Sequence, residues 1–395
     1  MNVQETLTGL PDVRRTNLAV LLRHLHLDGG MRRAELTDRL GLTRSTVAGL
    51  VGELARLGAV DEVTAASAGS PSLRGRPSPL VRPCPLGVQV LAAEVRVDQV
   101  EVALVGLGGT VLRRVSLPLA DPAPEAAADL LAASVADLAA TAPGRVLGLG
   151  VAVPGVTRHG DGAVRFAPNL RWRDVAFGEL LAARLPSVDV QVLNDGDAGA
   201  LAEQLRGVAR GHADVVFVEG EAGVGSGVVV DGKPLVGAGG YAGELGHISV
   251  GGPGGRRCRC GSRGCWETEI GADAIARALG LGADVSRRRL VEALRTAGPV
   301  EVRRLDRVAE HLGAGLATIV NVFNPDLIVL GGLLQELYPR VSTEVLRVLH
   351  AGALAAPAEQ VRLALPELGD DAVLLGAAET VWQRVLLDPA SALAR

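Results

Sequence analysis

The 395-residue sequence predicts a winged helix-turn-helix, helical with a β wing, over residues 1–82, followed by a longer α/β region. Three observations support this fold class. Apolar residues recur at helical spacing before residue 58, prolines cluster between residues 77 and 85, and apolar strand-like runs then alternate with helical segments. Because strands and helices that alternate along a chain pack as helices on a sheet, the second part is predicted to be α/β.

The front of the chain is predicted to contain three helices. Leucines at helical spacing define the first, from Arg14 to Leu27, and the second spans residues 33–40. A glycine turn at Gly41 then leads to Thr43, a suitable N-cap for a third helix that ends at Gly58. Two short helices joined by a tight turn form a helix-turn-helix, although a plain helical hairpin used for packing or dimerisation would show the same pattern.

The start of the third helix carries the candidate DNA-binding residues. In a helix-turn-helix the first residues of the second motif helix meet base edges, and here these are Arg44, Ser45 and Thr46. Arginine can pair bidentately with guanine, while the hydroxyls can reach bases or phosphates. The balance of 11 arginines against 8 acidic residues before residue 83 makes this region mildly basic.

A β wing is predicted after the third helix. Residues 60–63 suit a strand, and a tip rich in Ser, Gly and Pro follows up to residue 80. Within this tip, Arg76 lies in an extended Gly-Arg-Pro segment and could enter a minor groove. The same segment would serve equally as a linker.

The first part of the α/β region is predicted to span residues 83–195, with the final helix, 372–395, packing back onto it. Three antiparallel strands (Val88–Val97, Val100–Val105 and Val111–Leu117) precede a helix from Pro124 to Ala140 and a buried strand from Val146 to Val153. A further strand, 188–193, places Asn194 and Asp195 at its C-terminal edge. In α/β folds that edge is where ligands bind.

The second part, residues 196–371, holds a glycine-rich turn at 220–227 between two strands. Such a turn can let backbone N–H groups approach a phosphate, but many such turns are only tight hairpins. Helices near 271–279, 287–297 and 302–322 follow, then a buried strand at 327–330, another helix, a strand near 361–365 and a closing helix from 372 to 385.

Three of the four cysteines lie in one short stretch with a histidine. His247, Cys258, Cys260 and Cys265 are spaced H-x10-C-x-C-x4-C, and one imidazole with three thiolates suits tetrahedral Zn²⁺. Four protein ligands leave no position for water, so the metal would be structural rather than catalytic. A disulfide with a bystander histidine is the alternative, but three clustered thiols cannot pair evenly.

Composition narrows the class of protein. No basic start with an apolar run and no apolar stretch of about 18 residues occurs, so we expect a cytoplasmic protein without a membrane partner. Only Cys84 lies outside the cluster, which fits a reducing compartment. An aromatic content of 2% offers few stacking platforms for single-stranded nucleic acid.

With these residues assembled, the sequence resembles the ROK family of repressors, open reading frames and kinases, in its members with an N-terminal winged helix-turn-helix. The carriers are Gly243-Glu-Leu-Gly-His247, the Cys258–Glu267 cysteine motif, Asn194-Asp195 and Asn321 to Gly332. The resemblance covers nearly the whole chain. It implies two actin-like, ribonuclease-H-like lobes with a sugar between them, usually in a homodimer or tetramer.

The resemblance also implies a sugar-binding set, whose members match Asn169, Asn194, Asp195, Glu244, His247 and Glu267. Carboxylates and amides suit polyols because each can bridge paired hydroxyl groups. His247 would bind the metal through one ring nitrogen and the sugar through the other. Taken singly, each of these residues could also be an ordinary cap or surface residue.

The sequence departs from the kinases of the family at both phosphate turns. Their Asp-x-Gly-Gly-Thr turn corresponds to Glu94-Val-Arg-Val-Asp98, and their Gly-Thr-Gly-x-Gly turn corresponds to Glu221-Ala-Gly-Val-Gly225. A carboxylate at such a turn repels phosphate, so no bound ATP and no enzymatic activity are expected. Asp195, which matches the kinases' general base, is retained and would be the catalytic residue if the chain were a kinase.

Three functions remain open at this point. The favoured one is a regulator, most often a repressor in such families, that binds a palindromic operator in double-stranded DNA and responds to a sugar or sugar phosphate. A sugar kinase with a DNA-binding appendage is the second. A DNA-binding regulator controlled by a protein partner is the third.

Overall fold

The computed structural model describes residues 13–63, 78–252, 254–282 and 285–394. Its N-terminal domain comprises α1 (Val13–Asp28), β1 (Met31–Arg32), α2 (Arg33–Leu40), α3 (Arg44–Arg56), β2 (Val60–Val63) and β3 (Leu80–Pro83). The three predicted helices and the wing strand are confirmed. The two-residue strand β1, which sequence patterns did not indicate, pairs with β3 in a sheet of order β1-β3-β2. Arg76 lies outside the described residues.

The helix-turn-helix owes its geometry to two residues between α2 and α3. Gly41 takes a left-handed conformation with φ 62°, which ends α2 at no steric cost. Thr43 caps α3 as predicted, its hydroxyl accepting the backbone N–H of Thr46 at 3.2 Å. Leu21, Leu36 and Leu50, one from each of the three helices, are fully buried.

The first lobe follows the wing. Its elements are β4 (Val88–Val95), β5 (Gln99–Gly106), β6 (Val111–Pro118), α4 (Pro124–Ala140), β7 (Arg145–Val153), β8 (Val156–Thr157), β9 (Val164–Ala167), β10 (Trp172–Val175), α5 (Phe177–Arg184) and β11 (Val190–Asn194). The main sheet has the order β11-β7-β4-β5-β6, antiparallel from β4 to β6 and parallel from β4 to β11. The small sheet β10-β9-β8 and helix α5 were not predicted.

The second lobe and the C-terminus contain the remaining elements: α6 (Asp195–Arg206), β12 (Val215–Gly220), β13 (Val224–Val230), β14 (Lys233–Pro234), α7 (Trp266–Ile270), α8 (Ala272–Ala278), α9 (Arg287–Thr296), α10 (Pro299–Arg304), α11 (Asp306–Phe323), β15 (Leu327–Gly332), α12 (Leu333–Gly352), α13 (Ala355–Gln360), β16 (Arg362–Ala364), α14 (Ala372–Leu387) and α15 (Pro389–Ala392). The predicted helix at 302–322 is two helices, α10 and α11, that meet at Leu305.

The two lobes repeat one sheet topology. In the second lobe the order β16-β15-β12-β13-β14 has two parallel pairings followed by two antiparallel ones, like β11-β7-β4-β5-β6 in the first. This repeat is the two-lobed actin-like architecture implied by the resemblance. The glycine-rich segment at 220–227 is a tight hairpin, because Gly220 already pairs with Val224.

Helices α6 and α14 lie against each other between the lobes. An added Cβ on Gly376 of α14 would lie 1.8 Å from the carbonyl oxygen of Ala198 in α6, so only glycine permits this approach. An added Cβ on Gly150 in β7 would lie 1.9 Å from the carbonyl oxygen of Ala377. The C-terminal helix therefore packs onto β4 and β7 of the first lobe, while α6 also contacts β12 and β13 of the second lobe.

The N-terminal domain shares one hydrophobic core with the first lobe. Buried residues of α1 and α3, such as Leu22 and Leu54, belong to the same cluster as Val90 of β4 and Trp382 of α14. Prolines at the boundary therefore mark a change of fold but not a flexible tether across the described residues. No helix in the described ranges is both long and apolar enough to cross a membrane.

Candidate functional site

The three predicted DNA-binding residues at the N-terminus of α3 differ in their exposure and in their hydrogen bonds. Arg44 and Ser45 are exposed, and Thr46 is half-buried. The hydroxyls of Ser45 and Thr46 lie 2.9 and 2.8 Å from the hydroxyl of Thr43, within the helix cap. Arg44 is therefore the one of the three whose side chain is not engaged by this cap.

The four predicted metal ligands converge. One ligand atom from each of His247, Cys258, Cys260 and Cys265 can be chosen so that all lie within 4.8 Å of one another. A 3₁₀ turn, Leu245–His247, carries the histidine, and an isolated bridge between Ser249 and Cys265 closes the loop onto it. These residues, 11 to 18 positions apart from the histidine, are brought together by the loop rather than by a helix face.

The spacing of these atoms fits a tetrahedral ion. Tetrahedral zinc with Zn–S bonds of about 2.3 Å separates its sulfur ligands by roughly 3.8 Å. Here Cys260 Sγ lies 3.6 Å from Cys265 Sγ, and Cys258 Sγ lies 3.8 Å from His247 Nδ1. All three cysteines are free, and 3.6 Å is well beyond a disulfide bond of about 2.05 Å. The donor set and its spacing could hold a metal ion.

Asn194 and Asp195 stand at the end of β11, as predicted, and begin α6. The Asn194 side chain caps this helix, since its oxygen accepts the N–H of Asp197 at 3.1 Å and its amide donates to the Gly155 carbonyl at 2.9 Å. Asp195 Oδ1 accepts its neighbour's N–H, from Gly196, at 2.8 Å. The cap fixes the position of the Asn194 side chain. Its oxygen can still accept one more hydrogen bond, and its NH₂ group can still donate one.

Two glycines of the second hairpin let the other predicted sugar residues come close. An added Cβ on Gly223 would lie 2.7 Å from both Asn169 Nδ2 and Glu267 Oε2, and one on Gly225 would lie 2.8 Å from Asp195 Oδ1. Asn169, Asp195 and Glu267 therefore line this hairpin from both lobes. Gly223 and Gly225, which match two glycines of the kinases' second phosphate turn, have no side chains and therefore leave room here for these polar groups.

Glu267 connects the predicted metal cluster with this glycine hairpin. Its Oε1 lies 2.9 Å from Cys258 Sγ and 4.0 Å from His247 Nδ1. Because the Nδ1 atom of His247 faces the thiols, its Nε2 atom is the one left for another partner. The predicted metal and sugar sets thus share one continuous region.

Burial and mutual repulsion raise the pKa of three carboxyl groups in the cleft. Burial, and then the charges of Asp195, Asp197 and Glu267, raise the pKa of Glu244 to about 7. Burial raises the pKa of Asp195 to about 6, and burial together with Asp195 raises that of Asp197 to about 7. Asp197 was missed by sequence reasoning, although its place two residues after Asp195, in the first turn of α6, could have indicated it.

The region that matches the kinase phosphate turns is filled by charged side chains. Glu94 and Glu219 are buried, and Arg96 places its Nε 2.7 Å from Glu94 Oε1. Burial raises the pKa of Glu94 to about 7, and burial with Glu221 and Glu94 raises that of Glu219. At the second turn, Arg287 Nε donates to Glu221 Oε1 at 2.8 Å, so the Glu221 carboxylate is bound by a guanidinium of the protein itself.

Arg259 is a cleft residue that sequence reasoning missed. It lies between two predicted metal ligands, Cys258 and Cys260, and its guanidinium donates to Asn169 Oδ1 across the cleft. Only its position inside the cysteine motif could have indicated it. Asn169 is thereby held between a loop of the second lobe and a hairpin of the first.

With this geometry in place, comparison with known proteins decides the family. The sequence model of the ROK family matches residues 90–384, about three quarters of the chain. The chain belongs to the ROK family. It is 28% identical over 380 residues to the xylose repressor of Bacillus spizizenii, an alignment that covers 95% of this chain and 97% of that protein.

Two solved structures differ in how much of this chain they match. A ROK family transcriptional regulator described as a homolog of the E. coli MLC protein superposes with a TM-score of 0.76 at 25% identity, over 97% of this chain and 100% of that one. A ROK family glucokinase from Streptomyces griseus, solved with glucose and AMPPNP, superposes with a TM-score of 0.66 at 28% identity over 75% of this chain and 99% of its own. The likeness to the repressor and the regulator thus includes the N-terminal domain, whereas the likeness to the kinase leaves a quarter of the chain unmatched.

Proposed function

We propose that this protein is a sugar-responsive transcriptional repressor, in which a sugar in the cleft between the lobes changes the affinity of the N-terminal domain for its operator. The observation that carries this function is the path of α6. This helix begins at the cleft with Asn194 and Asp195 and ends at Arg206, in buried contact with the DNA-binding domain. Twelve helical residues span roughly 18 Å, so one rigid element reaches both regions.

The far end of α6 is fastened by an ion pair among buried groups. Arg206 Nε lies 2.5 Å from Glu379 Oε1 of α14, and Glu379 Oε2 lies 3.0 Å from Nε2 of His26 in α1. Arg206 also donates to the backbone carbonyls of His26 and Gly108, at 3.2 and 3.0 Å. Three helices and the β5–β6 turn therefore meet at a single guanidinium.

His26 is surrounded by three polar partners. The backbone N–H of Gly108 donates to its Nδ1 at 3.0 Å, while its Nε2 lies 3.0 Å from Glu379 Oε2 and 2.5 Å from Nη2 of Arg206. Burial lowers the pKa of His26. Burial alone would raise the pKa of Glu379, but its partners His26 and Arg206 lower it. A neutral imidazole and an ionised carboxylate result, which leaves Arg206 as the only cation of the three.

Regulation follows if the sugar binds one arrangement of the lobes better than another. The sugar hydroxyls would be bound from both sides of the cleft. One side offers Asn169 of the first lobe with Asn194 and Asp195 at the start of α6, and the other offers Glu244, His247 and Glu267 of the second lobe. Closing these groups around a ligand would move α6, and its tether to α1 would carry the movement to the recognition helices. A tenfold change in operator affinity needs only about 1.4 kcal/mol of difference between the two states.

Operator binding would use α3 in the major groove. A homodimer, or a tetramer built from dimers, would place two such helices in successive grooves of a palindromic site, with Arg44 at base edges and Arg76 of the wing in or near a minor groove. Such a repressor acts on the chromosome, which places it in the cytoplasm. Arg44→Ala is expected to weaken operator binding by about 1–3 kcal/mol, and equal losses on random DNA would instead make Arg44 a phosphate contact.

The metal would be structural Zn²⁺ held by His247 Nδ1 and the thiolates of Cys258, Cys260 and Cys265. A closed set of four protein ligands supports this assignment, since no position is left for a reacting water. The ion would fix the loop that carries Arg259 and would orient the free nitrogen of His247 towards the sugar.

A sugar kinase is the alternative that one observation favours: Asp195, the residue that matches the kinases' general base, stands in the cleft with a pKa of about 6. Against it stand Glu94 and Glu221, because their carboxylates occupy the turns that would hold phosphates. An ADP-release assay across common hexoses and pentoses tests this, and turnover that disappears in Asp195→Asn would establish the kinase.

Gel shifts of upstream genomic fragments, with and without a panel of monosaccharides, test the proposed function. Specific binding that one sugar relieves or strengthens is expected. Specific binding that no sugar alters, together with calorimetry that detects no sugar, would contradict the sensor role and favour control by a protein partner.

A further inference from the structure

A cationic pocket opens beside the sugar residues. Its volume is about 570 Å³, and it lies between the β9–β10 hairpin and the cysteine loop. Three arginines line it, Arg171, Arg173 and Arg259, and no acidic side chain does. Asn169, a member of the predicted sugar set, also lines it, so the pocket adjoins the cleft.

The hairpin fixes the backbone of the first arginine. Arg171 has a left-handed backbone with φ 61°, and it lies between the buried side chains of Leu170 and Trp172. The indole N–H of Trp172 donates to the carbonyl of Pro122 at 2.5 Å, and its ring lies 4.7 Å from that of Phe177. With its neighbours anchored inward, Arg171 is turned outward into the pocket.

The other two arginines are positioned by different elements. The guanidinium of Arg173 lies over the ring of Phe166, 4.8 Å from its centre, which orients the group without neutralising its charge. Arg259 reaches the pocket from the second lobe, where it contacts Asn169. The pocket therefore has cationic walls from both lobes.

These three charges have no counter-charge among the described residues. None of the three has an acidic partner within 4.0 Å across the ranges that the structure describes, whereas Arg165 on the same hairpin pairs with Asp174 at 3.0 Å. The whole chain carries a formal charge of −4, so the concentration of positive charge is local. Guanidinium groups that converge without acids repel one another, and an anion would relieve that repulsion.

We propose that the effector carries an anionic group, a phosphate ester or a carboxylate, which Arg171, Arg173 and Arg259 bind while the neighbouring cleft residues hold its hydroxyls. This inference rests on the proposed sugar-sensing function and names the chemical class of its ligand. It also gives Arg259 a role in closure, because a ligand anion bound to both Arg171 and Arg259 would join the two lobes.

Inorganic phosphate probes the pocket without knowledge of the sugar. Thermal unfolding of the full chain is measured in sodium phosphate and in sodium chloride at equal pH and ionic strength. The unfolding temperature is expected to be higher in phosphate, and the double variant Arg171→Gln with Arg173→Gln should lose most of that increase. Arg165→Gln is the matched control, since it removes a cation of the same hairpin that does not line the pocket.

Sugars then identify the anion. Glucose, glucose 6-phosphate and glucuronate are compared by calorimetry and by their effect on the operator gel shift. One of the two anionic ligands is expected to bind at least about tenfold more tightly than glucose, with the advantage lost in the double variant and reduced at high salt. The same panel distinguishes a phosphate ester from a carboxylate.

Three results would overturn the inference. Phosphate that stabilises the double variant and the Arg165→Gln control as much as the wild type would show that the pocket does not bind it. A neutral sugar that releases the operator with the affinity of its anionic analogues would leave the sensor role intact and remove the anion. Reduced operator affinity of the double variant without any effector would make these arginines DNA contacts.

Discussion

Replacing Glu379 by glutamine tests how the sugar cleft communicates with DNA. The side chain is 1% exposed and accepts from both Arg206 and His26. Glutamine keeps the shape and one acceptor but removes the negative charge. The guanidinium of Arg206, with 11% of its side chain exposed, would then have lost its partner.

The expected cost comes from the buried cation. Removing one partner of a buried ion pair costs about 3–5 kcal/mol, and the two backbone carbonyls that Arg206 still contacts place this variant near about 3 kcal/mol. Arg384→Gln on the same helix is the control. Arg384 Nη1 lies 2.9 Å from Asp189, and the two side chains are 59% and 58% exposed, so its loss should cost under about 1 kcal/mol.

Two assays separate stability from communication. Urea unfolding gives the free energy of unfolding, while calorimetry and gel shifts give the affinity for effector and the factor by which the effector changes operator affinity. Glu379→Gln should retain effector affinity and lose most of that factor, because the charged link through Glu379 is gone and only the bond from Arg206 to the His26 carbonyl still joins α6 to α1. A destabilisation no greater than that of Arg384→Gln, or an unchanged factor, would refute the reasoning.

Three further predictions concern the cleft and the metal. Asp197→Asn should stabilise the chain by about 4 kcal/mol more at pH 8 than at pH 4, since burial and Asp195 raise the pKa of Asp197 from 3.8 to about 7 and the stability that the protonated carboxyl contributes is lost as pH rises through that value; a pH-independent difference would contradict this. Gly223→Ala should weaken sugar binding at least about tenfold by calorimetry, because its Cβ would meet Asn169 and Glu267 at 2.7 Å. Cys260→Ser should lower zinc content and thermal stability together, and full zinc occupancy in the variant would exclude Cys260 as a ligand.

Local sequence patterns predicted most elements because their signals are local. The boundaries of α2 and α4 match, since Gly41 and Pro124 act on their own backbone. The β9–β10 hairpin was missed because Val164–Ala167 and Trp172–Val175 are four-residue strands without clear alternation. Their stability depends on anchors such as Trp172, whose partners are distant in sequence.

The sequence by itself determined the helix-turn-helix, the α/β class and the four candidate metal ligands, because helical periodicity, turn glycines and cysteine spacing are properties of neighbouring residues. Only the tertiary structure decided which side chains meet across the lobes. Arg259 contacts Asn169, and His26 contacts Glu379, 353 positions away, through packing that no local pattern encodes. The electrostatic state of His26 and Glu379 is likewise a tertiary property, because burial lowers the pKa of His26, whereas His26 and Arg206 lower the pKa of Glu379 against the effect of burial.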